Sequence, residues 1–199
     1  MKKIAMFGGS FNPPHIGHLQ LAQAYIEALE LDTLLLVPVF SPPHKSANGM
    51  VTAEHRLNMC ALLEKYNNKI KVSDIEIKRG GSSYTVDTLK ALKTLYKGSE
   101  LYLIIGADMY MSLQSWYQPE QICALAKICT ISRNSDDVLM LENHSRFLKR
   151  FGCESVILKG RVMTVSSTQV RSAVKSGESI LSLVVPEVYD YIKRNGLYI

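Results

Sequence analysis

The stretch Gly8-Gly9-Ser10-Phe11-Asn12-Pro13-Pro14-His15-Ile16-Gly17-His18-Leu19 lies between a short apolar run, Lys3 to Phe7, and a segment with apolar residues at Ala22, Ile26 and Leu29. The run before it is continuous rather than alternating, which suits a strand buried on both faces. The three-to-four spacing after it is that of a helix with one face turned inward. A strand that breaks at two glycines and gives way to a helix makes a turn suited to an anion. Glycines let backbone N–H groups approach closely, and a helix beginning near Gly17 adds unpaired N–H groups and the positive end of its dipole. His15 and His18 stand three residues apart, so with Ile16 to His18 opening the helix both imidazoles can face one bound phosphate. Fixed N–H donors of this kind stabilise charge on phosphoryl oxygens during transfer, with no covalent intermediate.

The strand-and-helix pattern repeats outward from this turn. Leu34 to Val39 is a second continuous apolar run, ending at Pro42-Pro43, and Thr52 is placed to cap the next helix. A strand is predicted near Ile70 to Ile75, then a helix opening at Thr85, whose hydroxyl can accept first-turn N–H groups. Further strands are expected at Leu101 to Ile105 and Ile128 to Ile131, and a closing helix runs from Pro186 to Asn195-Gly196. Strands alternating with helices predict an α/β fold, a doubly wound and mostly parallel sheet with helices on both faces. Such sheets bind ligands beyond the C-terminal ends of the strands, near the point where strand order reverses.

With 199 residues, 47% of them hydrophobic, the chain can close one substantial core, so a single domain over 1–199 is expected. No apolar run reaches the roughly 18 residues of a membrane helix. The start, Met1-Lys2-Lys3, lacks a small-residue cleavage site, and the protein is expected in the cytoplasm. Cys60, Cys123, Cys129 and Cys153 show neither a C-x-x-C pair nor a His at metal-ligand spacing. They read as buried free thiols rather than a zinc site or a disulfide framework. The net charge of +5 comes from 23 basic and 18 acidic residues. These charges are interleaved without a basic block, which speaks against a nucleic-acid partner and suits small anionic substrates.

A second hydroxyl-rich helix start, Val165-Ser166-Ser167-Thr168-Gln169-Val170-Arg171, offers hydroxyls, N–H groups and a guanidinium one turn on, a set that can hold another anion. The run Gly8 to His18 resembles the G-x-F-x-P-x-H-x-G-H signature of the nucleotidyltransferase superfamily, whose core is Rossmann-like. Val165 to Arg171 resembles that superfamily's I-S-S-T-x-x-R, with Val in place of Ile. The resemblance implies that Gly8, Gly9, Ser10, Phe11, His15, Gly17 and His18, with Ser166, Ser167, Thr168 and Arg171, bind ATP. Of these, His15, His18 and Arg171 would be catalytic. Mg²⁺ would be held through the ATP phosphates, with no metal ligand from the chain. His-Ile-Gly-His also occurs in one class of aminoacyl-tRNA synthetases, but 199 residues leave no room for their tRNA domains.

Three further segments resemble the nicotinate mononucleotide adenylyltransferases. They are Pro42-Pro43-His44-Lys45; Gly81 to Leu89, with Tyr84 and Thr85; and Gly106-Ala107-Asp108 with Trp116-Tyr117. The resemblance places the acceptor on Lys45, Tyr84, Thr85, Gly106, Asp108, Trp116 and Tyr117. It implies ATP and nicotinate mononucleotide as partners, with nicotinate adenine dinucleotide, a precursor of NAD, and pyrophosphate as products. Where the family commonly has Arg-Pro-Gly, this chain has Arg133-Asn134-Ser135. Rival readings are another acceptor, nicotinamide mononucleotide or phosphopantetheine, and a non-catalytic nucleotide sensor, which would be expected to lack one of His15, His18 and Arg171. No membrane partner is expected, and a homo-oligomer is compatible with the sequence.

Overall fold

The computed structural model of the chain describes residues 1–41, 49–132, 135–160 and 165–199. Strands β1 (Lys3–Gly9), β2 (Thr33–Pro38), β3 (Ile70–Val72), β4 (Glu100–Ile104), β5 (Lys127–Ser132) and β6 (Ser155–Lys159) form a sheet in the order β3-β2-β1-β4-β5-β6. Every neighbouring pair is parallel. The connections carry helices α1 (Ile16–Ala28), α2 (Ala53–Ala61), α3 (Ile75–Arg79), α4 (Thr85–Leu95), α5 (Ala107–Met111), α6 (Pro119–Leu125) and α7 (Ser135–Leu148). Helices α8 (Ser167–Lys175) and α9 (Pro186–Arg194) follow β6. This is the doubly wound α/β sheet that the alternation of elements predicts, and its order reverses between β1 and β4, where such sheets bind ligands.

Strand side chains alternate between two cores, and the alternation explains the unbroken apolar runs. Ala5 and Phe7 of β1, Leu34 and Leu36 of β2, and Tyr102 and Ile104 of β4 pack against Ala22 and Ile26 of α1, Met59 of α2, Val170 of α8 and Val188 of α9. Ile4 and Met6, Leu35 and Val37, and Leu101 and Leu103 point the other way, onto Val86 and Leu89 of α4, Tyr110 of α5, Ile122 of α6 and Leu141 of α7. The central positions of β1, β2 and β4 are therefore apolar on both sides, because both faces are covered there.

Some elements depart from expectation. The strand predicted over Ile70 to Ile75 stops at Val72. Ser73 N–H makes one last bond to Leu36 O, and Asp74 then starts α3, its carbonyl accepting from Lys78 N–H. Thr52 caps α2 as expected, accepting from His55 N–H at 3.3 Å. Thr85 does not cap α4. It is the first helical residue, and Tyr84 holds the cap position without a side-chain bond, so the first N–H groups of α4 keep no side-chain acceptor there. The cysteines also differ from expectation: Cys60 and Cys129 are buried free thiols, whereas Cys123 on α6 is joined to Cys153 in a disulfide, their Cα atoms 4.5 Å apart. Packing of α6 beside the turn that ends α7 brings together two residues 30 positions apart in sequence, a separation with no motif to announce it. Among the described residues no helix is long and apolar enough to cross a membrane.

Candidate active site

The turn that leaves β1 is fixed before any ligand arrives. Phe11 has φ +44°, in the left-handed region that a bulky residue seldom adopts. Its ring is buried edge-on against Phe7, at 5.6 Å between centroids, and against His18, at 4.9 Å. Gly9 suits the place beneath it, because a Cβ there would lie 3.2 Å from the Phe11 ring, a tight contact. Phe11 therefore supplies packing through its side chain, and what it can offer a nucleotide is backbone. The Asn12–Pro13 peptide bond is cis.

His15 and His18 open α1 with their rings stacked, 3.6 Å between centroids and 29° apart. His15 N–H donates to His18 Nδ1 at 3.1 Å. That bond makes Nδ1 an acceptor, so the neutral ring carries its proton on Nε2, where it can be donated onward. Burial lowers the His15 pKa to about 4, and burial followed by the neighbouring His15 holds His18 well below its ordinary value. Both rings are therefore neutral near pH 7. His18 lines the cavity beyond the strand ends, while His15 is buried with its Nδ1 unpartnered among the described residues.

The second hydroxyl-rich segment meets this turn directly. Ser167 Oγ donates to Pro13 O at 2.8 Å, and Arg171 Nη1 donates to Asn12 O at 2.8 Å. Arg171 Nη2 reaches Thr168 Oγ1 at 3.1 Å, and Ser166 caps α8 by accepting from Gln169 N–H at 3.1 Å. The two candidate anion-binding segments are thus bonded to each other, although the first N–H of α1, that of Ile16, is occupied by Leu183 O at 2.9 Å.

A cavity of about 320 Å³ begins at Gly8, Gly9, Ser10 and His18 and extends past the end of β4. Tyr84, Thr85, Gly106, Met109, Trp116 and Tyr117 line its far end, and the Tyr84 and Tyr117 rings lie 4.7 Å apart. Asp108 is exposed in the first turn of α5, outside the lining. Lys45 and Arg133 fall outside the described residues.

A sheet of this order with two linked helix starts at its switch point has counterparts among known proteins. The sequence pattern of the cytidylyltransferase-like family matches residues 6–173. The chain belongs to that family. Among curated relatives of this cytidylyltransferase-like protein, one from Clostridium acetobutylicum, named a probable nicotinate-nucleotide adenylyltransferase, is 38% identical with both chains covered in full. One of the same name from Carboxydothermus hydrogenoformans is 36% identical over 98% of each chain. A solved structure titled Plasmodium falciparum nicotinic acid mononucleotide adenylyltransferase complexed with NaAD superposes with a TM-score of 0.79. It shares 21% identity, with 100% of this chain and 98% of that one covered, a likeness of fold.

Three residues of this cytidylyltransferase-like site escape a reading of motifs. Arg56 is 1% exposed, and its guanidinium donates to Ser10 O at 2.9 Å and Val51 O at 3.3 Å. No carboxylate pairs with it among the described residues, so a permanent positive charge lies beneath the turn. Its signal was its position, three and four residues before Met59 and Cys60 on the buried face of α2. Glu76 borders the cavity, accepting from the Thr88 hydroxyl at 2.7 Å, and burial raises its carboxyl pKa. Asn12 is buried and accepts from the Tyr198 hydroxyl at 2.8 Å, a contact across 186 positions that no local pattern encodes.

Proposed function

We propose that this chain joins the phosphate of nicotinate mononucleotide to the AMP portion of Mg²⁺-bound ATP, forming nicotinate adenine dinucleotide and releasing pyrophosphate. The observation that carries the reading is the pair of bonds from Ser167 and Arg171 to Pro13 and Asn12, which ties the start of α8 to the same turn whose Gly8, Gly9, Ser10 and His18 line the aromatic-walled cavity. An oxygen of the acceptor phosphate attacks the α-phosphorus in line, the bond to the bridging oxygen breaks, and pyrophosphate leaves with that electron pair. His18 donates from Nε2 to the attacked phosphate, and His15 fixes that tautomer through its backbone N–H. Arg171 and the hydroxyls of Ser166, Ser167 and Thr168 hold the leaving pyrophosphate, with Arg56 adding charge from below.

Mg²⁺ enters as part of the nucleotide. Among the described residues no three His, Cys, Asp or Glu side chains converge to hold a metal. Such an ion would take phosphate oxygens and water as its ligands. On the acceptor side, Trp116, Tyr117 and Tyr84 offer faces for a pyridine ring. The uncapped start of α4, at Tyr84 and Thr85, favours a carboxylate over an amide.

The test is pyrophosphate release from ATP with three acceptors in parallel: nicotinate mononucleotide, nicotinamide mononucleotide and phosphopantetheine. The first should be used at least ~10-fold more efficiently, since its charge alone matches the helix start. Faster use of either rival would overturn the acceptor assignment, and no release with any of them would overturn the enzymatic reading.

A further inference from the structure

The amide of Asn12 is bonded through both its nitrogen and its oxygen. Its Nδ2 donates to Gly49 O at 3.2 Å, and its Oδ1 accepts from Val51 N–H at 3.2 Å and from the Tyr198 hydroxyl at 2.8 Å. The carbonyl and N–H it meets belong to residues two apart, so the side chain pairs with that backbone as a neighbouring strand would. The backbone carbonyl of Asn12 meanwhile receives Arg171. Val51 is held from its other side as well, since its carbonyl accepts from Arg56, which reaches on to Ser10 O. A closed ring of bonds therefore runs from Asn12 to Val51, to Arg56, to Ser10 and back along the turn.

These contacts join three parts of the chain distant in sequence: the anion turn, the backbone a few residues beyond Lys45, and the C-terminal Tyr198. Tyr198 has φ +67° and is 9% exposed. A bulky residue holds left-handed backbone only where surrounding contacts enforce it, and the buried ring with its hydroxyl bond to Asn12 provides them. A side chain of Asn12's size could have been replaced by an apolar one if it served only to fill space, since three polar groups would then not converge on it.

We propose that Asn12 is a positioning residue of this site, clamping the backbone at Gly49 and Val51 to the anion turn so that the turn keeps one shape around the bound phosphates, with Tyr198 fixing the orientation of its amide. The inference rests on the two-substrate reading given above. The acceptor role of Oδ1 is its core, because that atom receives both Val51 and Tyr198, whereas Nδ2 makes a single bond.

The experiment compares wild type with Asn12→Ala, Asn12→Asp and Tyr198→Phe by steady-state kinetics with ATP and nicotinate mononucleotide, and by amide hydrogen exchange at Val51. Asn12→Ala should lower kcat about 10²-fold and raise KM for both substrates together, the size of effect that a displacement of about an ångström produces. Asn12→Asp keeps an acceptor for Val51 N–H and Tyr198 while setting a charged oxygen against Gly49 O, so its Val51 N–H should exchange more slowly than that of Asn12→Ala even though turnover is impaired. Tyr198→Phe should raise both KM values by ~3-fold or more while the protein stays folded. Val51 N–H should exchange at least ~10-fold faster in Asn12→Ala than in wild type, a readout independent of turnover. Kinetics within twofold of wild type in folded Asn12→Ala, an Asn12→Asp variant whose Val51 N–H exchanges as fast as that of Asn12→Ala, or exchange at Val51 unchanged in Asn12→Ala would each overturn the clamp. If Asn12→Ala does not fold, Tyr198→Phe decides, and unchanged KM values and Val51 exchange in it sink the proposal. Wild-type protein inactive with these substrates, but with Val51 exchange still governed by Asn12, would instead place the failure in the assigned reaction.

Discussion

Arg171, one turn into α8, donates to the backbone carbonyl of Asn12 at 2.8 Å across 159 positions of chain. A guanidinium spent partly on the neighbouring turn is held rigid, with a second bond to Thr168 at 3.1 Å, and presents its remaining N–H groups in a fixed direction. Arg171→Lys retains the charge but cannot make both bonds and still reach a phosphate. Its kcat/KM should fall by about 10²-fold, with a larger effect for ATP than for the acceptor. Steady-state kinetics with each substrate varied in turn check this; a Lys variant at wild-type efficiency would show that charge alone suffices.

His18 lines the cavity with a tautomer set by its neighbour's backbone. His18→Ala removes one preorganised donor and should lower kcat by about 10²-fold or more, with KM for ATP changed far less. The measurement is turnover of purified variant whose circular dichroism matches wild type. Unchanged kcat would leave His18 a packing residue between Phe11 and His15.

Stability should depend on pH through the same two rings. Both histidines titrate lower in the folded protein than the ordinary 6.5, so the unfolded chain binds more protons between the two values and stability falls with acidification. For His15 the window runs from 6.5 down to about 4, a loss of roughly 3 kcal/mol that is absent above pH 6.5 and complete below pH 4. Urea unfolding between pH 4 and 7 should show this slope, and a His15→Asn variant should flatten it.

Trp116 and Tyr117 form the wall of the cavity away from the anion turn. Trp116→Ala should raise KM for the acceptor by ~10-fold and leave KM for ATP nearly unchanged, because a lost stacking face affects only the ring that meets it. Equal effects on both substrates would place the acceptor elsewhere.

Much of this architecture is legible in sequence because covering both sheet faces forces unbroken apolar runs. Phe7, Leu36 and Leu103 announce β1, β2 and β4 for that reason. Strand β6 is harder to find: it lies at the sheet edge with none of its residues fully buried, and its apolar stretch is only Val156 to Leu158. Helix α3 was obscured by Ile75, whose β-branched side chain reads as a continuation of β3. Within the site, the glycines, histidines and Arg171 stand in local motifs. Asn12, Arg56 and Tyr198 act through contacts between distant segments, and the Cys123–Cys153 pair is the same kind of fact. Phe11 belongs to a motif yet proves to be core, since its positive φ turns the ring inward.

The unpaired guanidinium of Arg56 has a bearing on the empty protein. A cation held 1% exposed, bonded to two backbone carbonyls and paired with no carboxylate among the described residues, should be stabilised by an anion bound above Ser10. Ligand-free molecules should therefore melt at a lower temperature than those given pyrophosphate, with a midpoint that climbs logarithmically once the anion exceeds its dissociation constant. Thermal denaturation across a pyrophosphate series, repeated on Arg56→Met, would separate this source of stabilisation from the rest. The vacant enzyme is in this sense tuned for occupancy, and substrate scarcity would be felt first as fragility.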